Sequence, residues 1–181
     1  MLLLKHGDGI MPQGLFELQT FGEARPASAG RDFLDIFASA QLEAEMPRIL
    51  HALASPEYME AWMQPPDADR IECHSDSRSF DRFRIDLFSE RSRRRSIFGS
   101  CFLTKPNRIT YIWETAPVAE ARSLVEIRLW RNGTRCTIKL KHSGLRSWAE
   151  RDWHAQMWDA SLARLCMLMQ GTGAGTPEVT H

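Results

Sequence analysis

The sequence predicts an α+β fold, a curved antiparallel sheet of about six to seven strands around one long C-terminal helix, with two short helices after the first strand. Three observations carry this expectation. Segments of alternating apolar and polar residues recur between residues 34 and 142, the period-two mark of strands with one buried face. Two of the gaps between them, Lys105-Pro106-Asn107-Arg108 and Asn132-Gly133, are turn sequences that join neighbouring strands as hairpins. From Ser147 onward the apolar residues recur at three- and four-residue steps, as on the buried stripe of a helix.

In chain order, residues 1–30 are rich in Gly, Ala, Pro and polar residues and read as a partly irregular arm. Phe16, Leu18 and Phe21 are its apolar anchors, available to the body or to a second subunit. The folded domain is expected over residues 31–170, and 171–181 form a small polar tail. Leu34, Ile36, Ala38, Ala40 and Leu42 alternate with Asp35, Phe37, Ser39 and Gln41 in the first strand. Pro47 suits the first turn of a helix whose apolar face is Ile49, Leu50 and Leu53. Ser55-Pro56-Glu57 then opens a second helix: Ser can cap, Pro needs no donor, and Glu favours the positive end. That helix carries Tyr58, Met59, Trp62 and Met63 and stops before Pro65-Pro66.

Residues 71–75 read as a weak strand, and Phe83, Ile85 and Leu87 alternate with Arg82, Arg84 and Asp86 in the next. In the hairpin around Pro106-Asn107, the turn places Phe98, Ser100 and Phe102 on one side with Ile109, Tyr111 and Trp113. Its other side, with Ile97, Gly99, Cys101, Leu103 and Ile112, is also apolar, so either face can be core. In the Asn132-Gly133 hairpin, a two-residue loop pairs Arg131 with Thr134, Leu129 with Cys136, Ile127 with Ile138 and Val125 with Leu140. Ser147-Trp148-Ala149-Glu150 fits a capping box in which Ser and Glu serve each other's backbone donors. His154, Met157, Trp158, Ser161, Leu162, Leu165, Leu168 and Met169 follow as the buried stripe, and Gly171 ends the helix.

Composition excludes several classes. With 181 residues, 43% hydrophobic and 25% charged, the chain is long enough for one core and too apolar for wholesale disorder. Lys and Arg total 23 against 23 Asp and Glu, which argues against a protein dedicated to nucleic acid. There is no apolar run of about 18 residues, so no membrane span is expected. Met1-Leu2-Leu3-Leu4 is broken by Lys5 too early for a secretory signal. Cys73, Cys101, Cys136 and Cys166 are far apart with no C-x-x-C pair, as in a reduced, cytoplasmic protein. No cofactor is expected, because phosphate-binding loops, G-x-G-x-x-G and nucleophile elbows are all missing from the sequence.

The order of elements, together with particular segments, resembles a known family. These are Ser55-Pro56-Glu57 with Trp62-Met63-Gln64-Pro65, Arg108-Ile109-Thr110-Tyr111-Ile112-Trp113, Gly133-Thr134-Arg135 leading to His142-Ser143-Gly144, and His154, Trp158, Leu162 and Leu165. They are similar to the activator-of-Hsp90-ATPase-1-like domain of the START/Bet v 1-like (SRPBCC) superfamily, over roughly residues 32–170. The arm has no counterpart there, and the stretch Gly133–His142 is longer than the family's hairpin. The resemblance implies a helix-grip fold with a pocket between sheet and last helix, used in the superfamily for lipids, sterols and polyketides, with some cyclases and hydrolases among its members.

On that basis the candidate ligand-binding residues are Trp62, Phe98, Phe102, Tyr111, Trp113, His154, Met157, Trp158 and Leu165, an apolar set with a few polar tips. The alternative for each is plain core packing. His154, with His142 of similar standing, can exchange a proton near neutral pH or can be a hydrogen-bonded structural histidine. No catalytic residues are assigned, because no partner group can be placed beside either histidine. Cys73-His74 lacks a second ligand pair, so no metal site is assigned. Arg91, Arg93, Arg94 and Arg95 can grip an acidic partner or form a solvated turn. Three functions follow, in order of preference: binding of a small hydrophobic or amphipathic molecule, a chaperone-activator-type protein-interaction module, and a cyclase- or hydrolase-like enzyme. A monomer and a homodimer are both open.

Overall fold

Strand β1 (Ile36–Leu42) turns Ile36, Ala40 and Leu42 inward and leaves Phe37 exposed, as its alternation requires. The computed structural model describes residues 34–76, 79–90, 94–115 and 122–171. The arm of residues 1–30, the tail beyond residue 171, and Arg91 and Arg93 lie outside the described residues.

Helices α1 (Met46–Ala54) and α2 (Pro56–Trp62) follow β1. Then come β2 (Arg70–Asp76), β3 (Ser79–Phe88), β4 (Arg95–Lys105), β5 (Arg108–Thr115), β6 (Arg122–Asn132) and β7 (Arg135–Ser143), before the long helix α3 (Trp148–Gly171). The strands form one curved seven-stranded sheet in the order β1-β7-β6-β5-β4-β3-β2, every pair antiparallel. The first strand closes on the last, so α1 and α2 must cross from one sheet edge to the other. α1 lies against β4, β5 and β6, while α3 packs on β1 and α2. This is the α+β helix-grip arrangement expected from the sequence.

The helix ends are closed differently from expectation. Ser55 makes no side-chain cap for α2, and its hydroxyl instead meets His51 Nδ1 at 3.3 Å. At α3 half of the capping box forms: Ser147 Oγ accepts from Glu150 N at 3.1 Å. Glu150 Oε2 accepts from the Arg146 amide at 2.9 Å, one residue earlier than the reciprocal bond would use.

Two hairpin registers also differ. In β6–β7 the turn is Gly133-Thr134, with Asn132 paired to Arg135. Gly133 has φ +62°, which suits a primed turn with glycine in its first central position. The pairing is therefore two residues away from the expected one: Leu129 faces Ile138, Ile127 faces Leu140 and Val125 faces His142. A slip of two preserves the face of every side chain, so the buried set is unchanged.

In β4–β5 the discrepancy has larger consequences. Lys105 pairs with Arg108, but Leu103 pairs with Ile109, so the ladder shifts by one residue at a bulge. One extra residue exchanges the two faces of β4. Gly99, not Phe98 or Ser100, then stands beside Trp113 on the inner face. Phe98 and Phe102 turn to the outer face, 40% and 38% exposed. A two-residue loop with no bulge would have put both inside.

At Gly99 this face leaves no room for a side chain. A Cβ there would lie 2.5 Å from the Ile112 carbonyl oxygen and 2.5 Å from the Phe83 ring. The missing side chain is what lets the Phe83 ring sit beside Trp113, 5.8 Å between centres. Gly99→Ala is accordingly expected to destabilise the fold by about 1–3 kcal/mol, the usual cost of overpacking a core. Gly171→Ala, with no atom within 4 Å of the added methyl, is the matched control and should be near neutral in urea unfolding. Equal midpoints for the two variants would refute this account.

Candidate functional site

The interior between the sheet and α3 is built from aromatic side chains whose polar tips point at specific partners. Burial of an indole or phenol is costly unless its N–H or O–H is bonded. Here the C-terminus of α1 supplies two acceptors, since the last carbonyls of a helix have no partner within it. Trp62 Nε1 donates to the Ala52 carbonyl at 2.9 Å, and the Tyr111 hydroxyl donates to the Leu53 carbonyl at 2.5 Å. Burial pushes the Tyr111 hydroxyl well above its ordinary pKa, so it stays a donor.

A second chain of bonds crosses from helix to sheet. Trp158 Nε1, on α3, is 3.0 Å from His142 Nδ1, and His142 Nε2 is 2.8 Å from Ser123 Oγ on β6. An indole can only donate, so His142 Nδ1 must be the accepting nitrogen and Nε2 carries the proton. Burial, reinforced by the neighbouring His154, lowers the His142 pKa well below the usual imidazole value, which agrees with a neutral ring. This polarity has a chemical consequence. His142 donates to Ser123 and has no lone pair with which to activate that hydroxyl, so the Ser–His contact holds structure together.

His154 sits one turn from Trp158, its ring edge-on to His142 with centres 4.6 Å apart. Its Nδ1 donates to the Glu150 carbonyl at 2.8 Å, so in the neutral ring Nε2 is the nitrogen that carries the lone pair. Burial lowers its pKa, with Arg95 acting in the same direction and Glu150 opposing. Trp113 lies edge-to-face with Phe83, His154 and Trp158, its ring centre 5.8, 6.5 and 5.8 Å from theirs. Its Nε1 is buried and has no acceptor among the described residues.

Seven of the nine candidate residues therefore meet in one place: Trp62, Tyr111, Trp113, His154, Met157, Trp158 and Leu165. Phe98 and Phe102 do not join them, for the bulge described above. Six of the seven are 0–1% exposed, so no water-sized space touches them in this structure. The expected hollow is closed there by side chains. His154, at 6%, is the member nearest to solvent. Over it lies Trp153, 4.8 Å between ring centres, with Arg95 stacked on the Trp153 indole at 4.8 Å. Asp67 ties the pair together, accepting from Trp153 Nε1 at 2.9 Å and facing Arg95 at 3.2 Å.

Sequence reasoning missed Ser123, Phe83, Trp153 and Asp67 as parts of this site. Ser123 was accessible by counting two residues back from Val125 along β6. Trp153 lies on α3 and Asp67 in the turn between α2 and β2, with no shared pattern.

On the outer face, Asp86 is a buried carboxylate held by Ser96 at 2.6 Å, Arg94 at 2.5 Å, and Arg84 and His74 at 3.2 Å. Burial alone would raise its pKa, but the Ser96 and Arg94 hydrogen bonds and the two guanidinium charges outweigh it and hold the carboxyl below its usual value. Glu72, His74 and Asp86 bring three ligand-type atoms within 4.8 Å of one another. Asp86 is already engaged by two guanidinium groups, and Glu72 by Arg70, so an added cation would compete with three arginines. Of the arginine cluster, Arg94 thus serves Asp86 and Arg95 serves Trp153.

The sequence profile of the Activator of Hsp90 ATPase homolog 1-like protein family matches residues 43–170, and the chain belongs to that family. Its fold is shared by protein CV1439 from Chromobacterium violaceum, at 17% identity and a TM-score of 0.63, covering 75% of this chain and 97% of that one. Protein NE0264 from Nitrosomonas europaea is similar at 15% identity and a TM-score of 0.60, over 80% and 99% of the two chains. DynU16, described as a protein of the dynemicin biosynthetic locus, aligns at 15% identity and a TM-score of 0.57, over 77% of this chain and 48% of its own. No curated protein is a significant sequence match. Among the described residues, no helix is long and apolar enough to cross a membrane.

Two measurements test this geometry. Tyr111→Phe leaves the Leu53 carbonyl buried without its donor and should cost about 1–3 kcal/mol in chemical denaturation. A cost near zero would mean that the carbonyl finds another partner. The pH dependence follows from the histidines. Both folded pKa values lie below the unfolded value of about 6.5, so the unfolded chain binds more protons as the pH falls. Their contribution is complete above about pH 6.5 and is lost on acidification towards their folded pKa values, with a limiting slope of about 1.4 kcal/mol per pH unit for each ring. His154→Gln should reduce the slope between about pH 6.5 and 5. An unchanged slope would show that His154 is not held neutral.

Proposed function

We propose that the protein binds a small hydrophobic or amphipathic molecule, of lipid, sterol or polyketide type, between the sheet and α3. The observation that carries this reading is the buried Trp113 Nε1, a donor with no acceptor among the described residues. Leaving such a donor unbonded costs about 1–3 kcal/mol, which a guest can recover. Family membership supports the same site, because the fold places a concave sheet opposite one helix. A guest must displace packed side chains, and the direct route passes His154, the member nearest to solvent, with Trp153, Arg95 and Asp67 beside it. Binding then draws on apolar burial, at about 25 cal/mol per Å².

A protein-interaction role has its own support on the opposite face. Phe98, Phe102 and Leu124 are exposed on the outer side of neighbouring strands β4 to β6, and exposed apolar side chains gathered on one face suit a protein partner. The enzymatic alternative loses His142 as a base, since its free nitrogen is occupied by Trp158.

Thermal-shift screening of fatty acids, sterols and aromatic polyketides tests the first reading. A true ligand at 100 times its Kd should add about 2.7 kcal/mol of stability. No shift with any class, combined with stimulation of a bacterial Hsp90 ATPase that depends on Phe98, would replace it with the second.

A further inference from the structure

The outer face of the sheet carries a row of like charges. The ladder pairs Arg108 on β5 with Arg128 on β6, and Arg128 with Lys139 on β7. Lys105 extends the row on β4, opposite Arg108. Ile109, Ile127, Leu129 and Ile138, which alternate with these residues, are fully buried, so the row faces outward. Neighbouring strands lie about 4.8 Å apart, which lines up four cations over about 15 Å. Like charges directly opposite each other work against strand pairing. Their compensation is small. Glu126 forms an ion pair with Arg108, while Lys105, Arg128 and Lys139 have none among the described residues.

Exposed aromatic side chains flank this row on both sides. Two residues along the strands, Phe102, Thr110, Glu126, Lys141 and Phe37 are paired across β4, β5, β6, β7 and β1. Phe102 and Phe37 stand at the two ends, 38% and 57% exposed, and the β4 bulge is what turns Phe102 to this side. Beyond the row in the other direction is Trp130, 41% exposed. Cations bordered by exposed aromatic rings suit a surface that rests at a lipid–water boundary.

We propose that this face docks on an anionic lipid surface, with the four cations at phosphate level and Phe37, Phe102 and Trp130 directed at the acyl boundary. Lipid is favoured over other polyanions on two counts. Anionic headgroups move laterally and can gather beneath charges about 4.8 Å apart, a spacing that fixed carboxylates on a protein would have to match. Lys139 and Lys141 hold their ammonium groups over the Trp130 and Phe37 rings, at 5.5 and 5.6 Å, so a nucleic-acid base cannot stack there without displacing them. Because 23 basic residues balance 23 acidic ones over the whole chain, attraction is confined to this face and orients the protein. The face lies on the far side of the sheet from α3, so docking there is independent of any guest in the interior.

The test is co-sedimentation of the full chain with vesicles of phosphatidylcholine alone and of phosphatidylcholine with phosphatidylglycerol in a two-to-one ratio. The protein should sediment with the mixed vesicles and not with the neutral ones. Raising the salt from about 0.1 M to about 1 M, which shortens the Debye length from about 10 Å to about 3 Å, should release it. Arg128→Gln with Lys139→Gln should lower the partition coefficient about 25-fold, since each cation near an anionic leaflet is worth about fivefold. The same pair of substitutions relieves repulsion in the ladder, so the urea midpoint should not fall, which separates binding from folding. Arg48→Gln with Arg146→Gln removes as much charge from the helical side and should leave vesicle binding nearly unchanged. Equal losses from the two pairs would overturn the assignment of the face. Absence of binding to the mixed vesicles, or equal binding to both kinds, would overturn the lipid proposal. Binding of polyglutamate or of a single-stranded oligonucleotide in place of the mixed vesicles would overturn it in favour of a protein or nucleic-acid partner.

Discussion

The bond from Trp158 to His142 is the contact on which the rest of the interior depends. It joins the middle of α3 to β7, and through Ser123 it reaches β6, so a single neutral imidazole holds helix and sheet in one geometry. It requires His142 to stay uncharged, which burial enforces. It also sets the position of His154 one turn away on α3, edge-on to His142. A protonated His142 could not accept from Trp158 at all. Tethering of the terminal helix and suppression of imidazole charge are the same physical fact.

The opposite wall of the interior is held by a different device. Helix α1 ends inside the protein, and its last carbonyls would be unsatisfied there without help. Trp62 and Tyr111 supply that help from α2 and β5. Residues that look like ligand-orienting groups by type therefore serve the backbone instead. What is left by subtraction among the buried aromatic side chains described is the Trp113 Nε1 donor on β5, with His154 beside it below a surface cluster of Trp153, Arg95 and Asp67. The interior is closed in this structure, so occupancy and opening are coupled, and any ligand shifts the population of an open form in proportion to its preference for it.

Much of this was legible in the amino-acid order. Alternation along β1, β3, β6 and β7 assigns their buried faces correctly, because side chains on a pleated strand have no third direction to take. The stripe from His154 to Met169 identifies the inward side of α3 for the analogous reason. A two-residue error in the β6–β7 register did no harm, since a shift of two keeps every residue on its own side. The one-residue bulge in β4 exchanged its faces, and no pattern within Ile97–Leu103 reveals it, because both sides of that segment are apolar.

Sequence periodicity by itself determined the α+β class, the order of elements and the buried set on strands where one face is polar, since hydrophobic burial acts on each side chain through its own local period. Only the tertiary structure decided which donors and acceptors are engaged. Hydrogen bonds such as Tyr111 to Leu53 and Trp158 to His142 join residues whose meeting depends on how the sheet curves and where α3 rests on it. A pattern of period two or 3.6 records which way a side chain faces and carries no information about the atom it finds there.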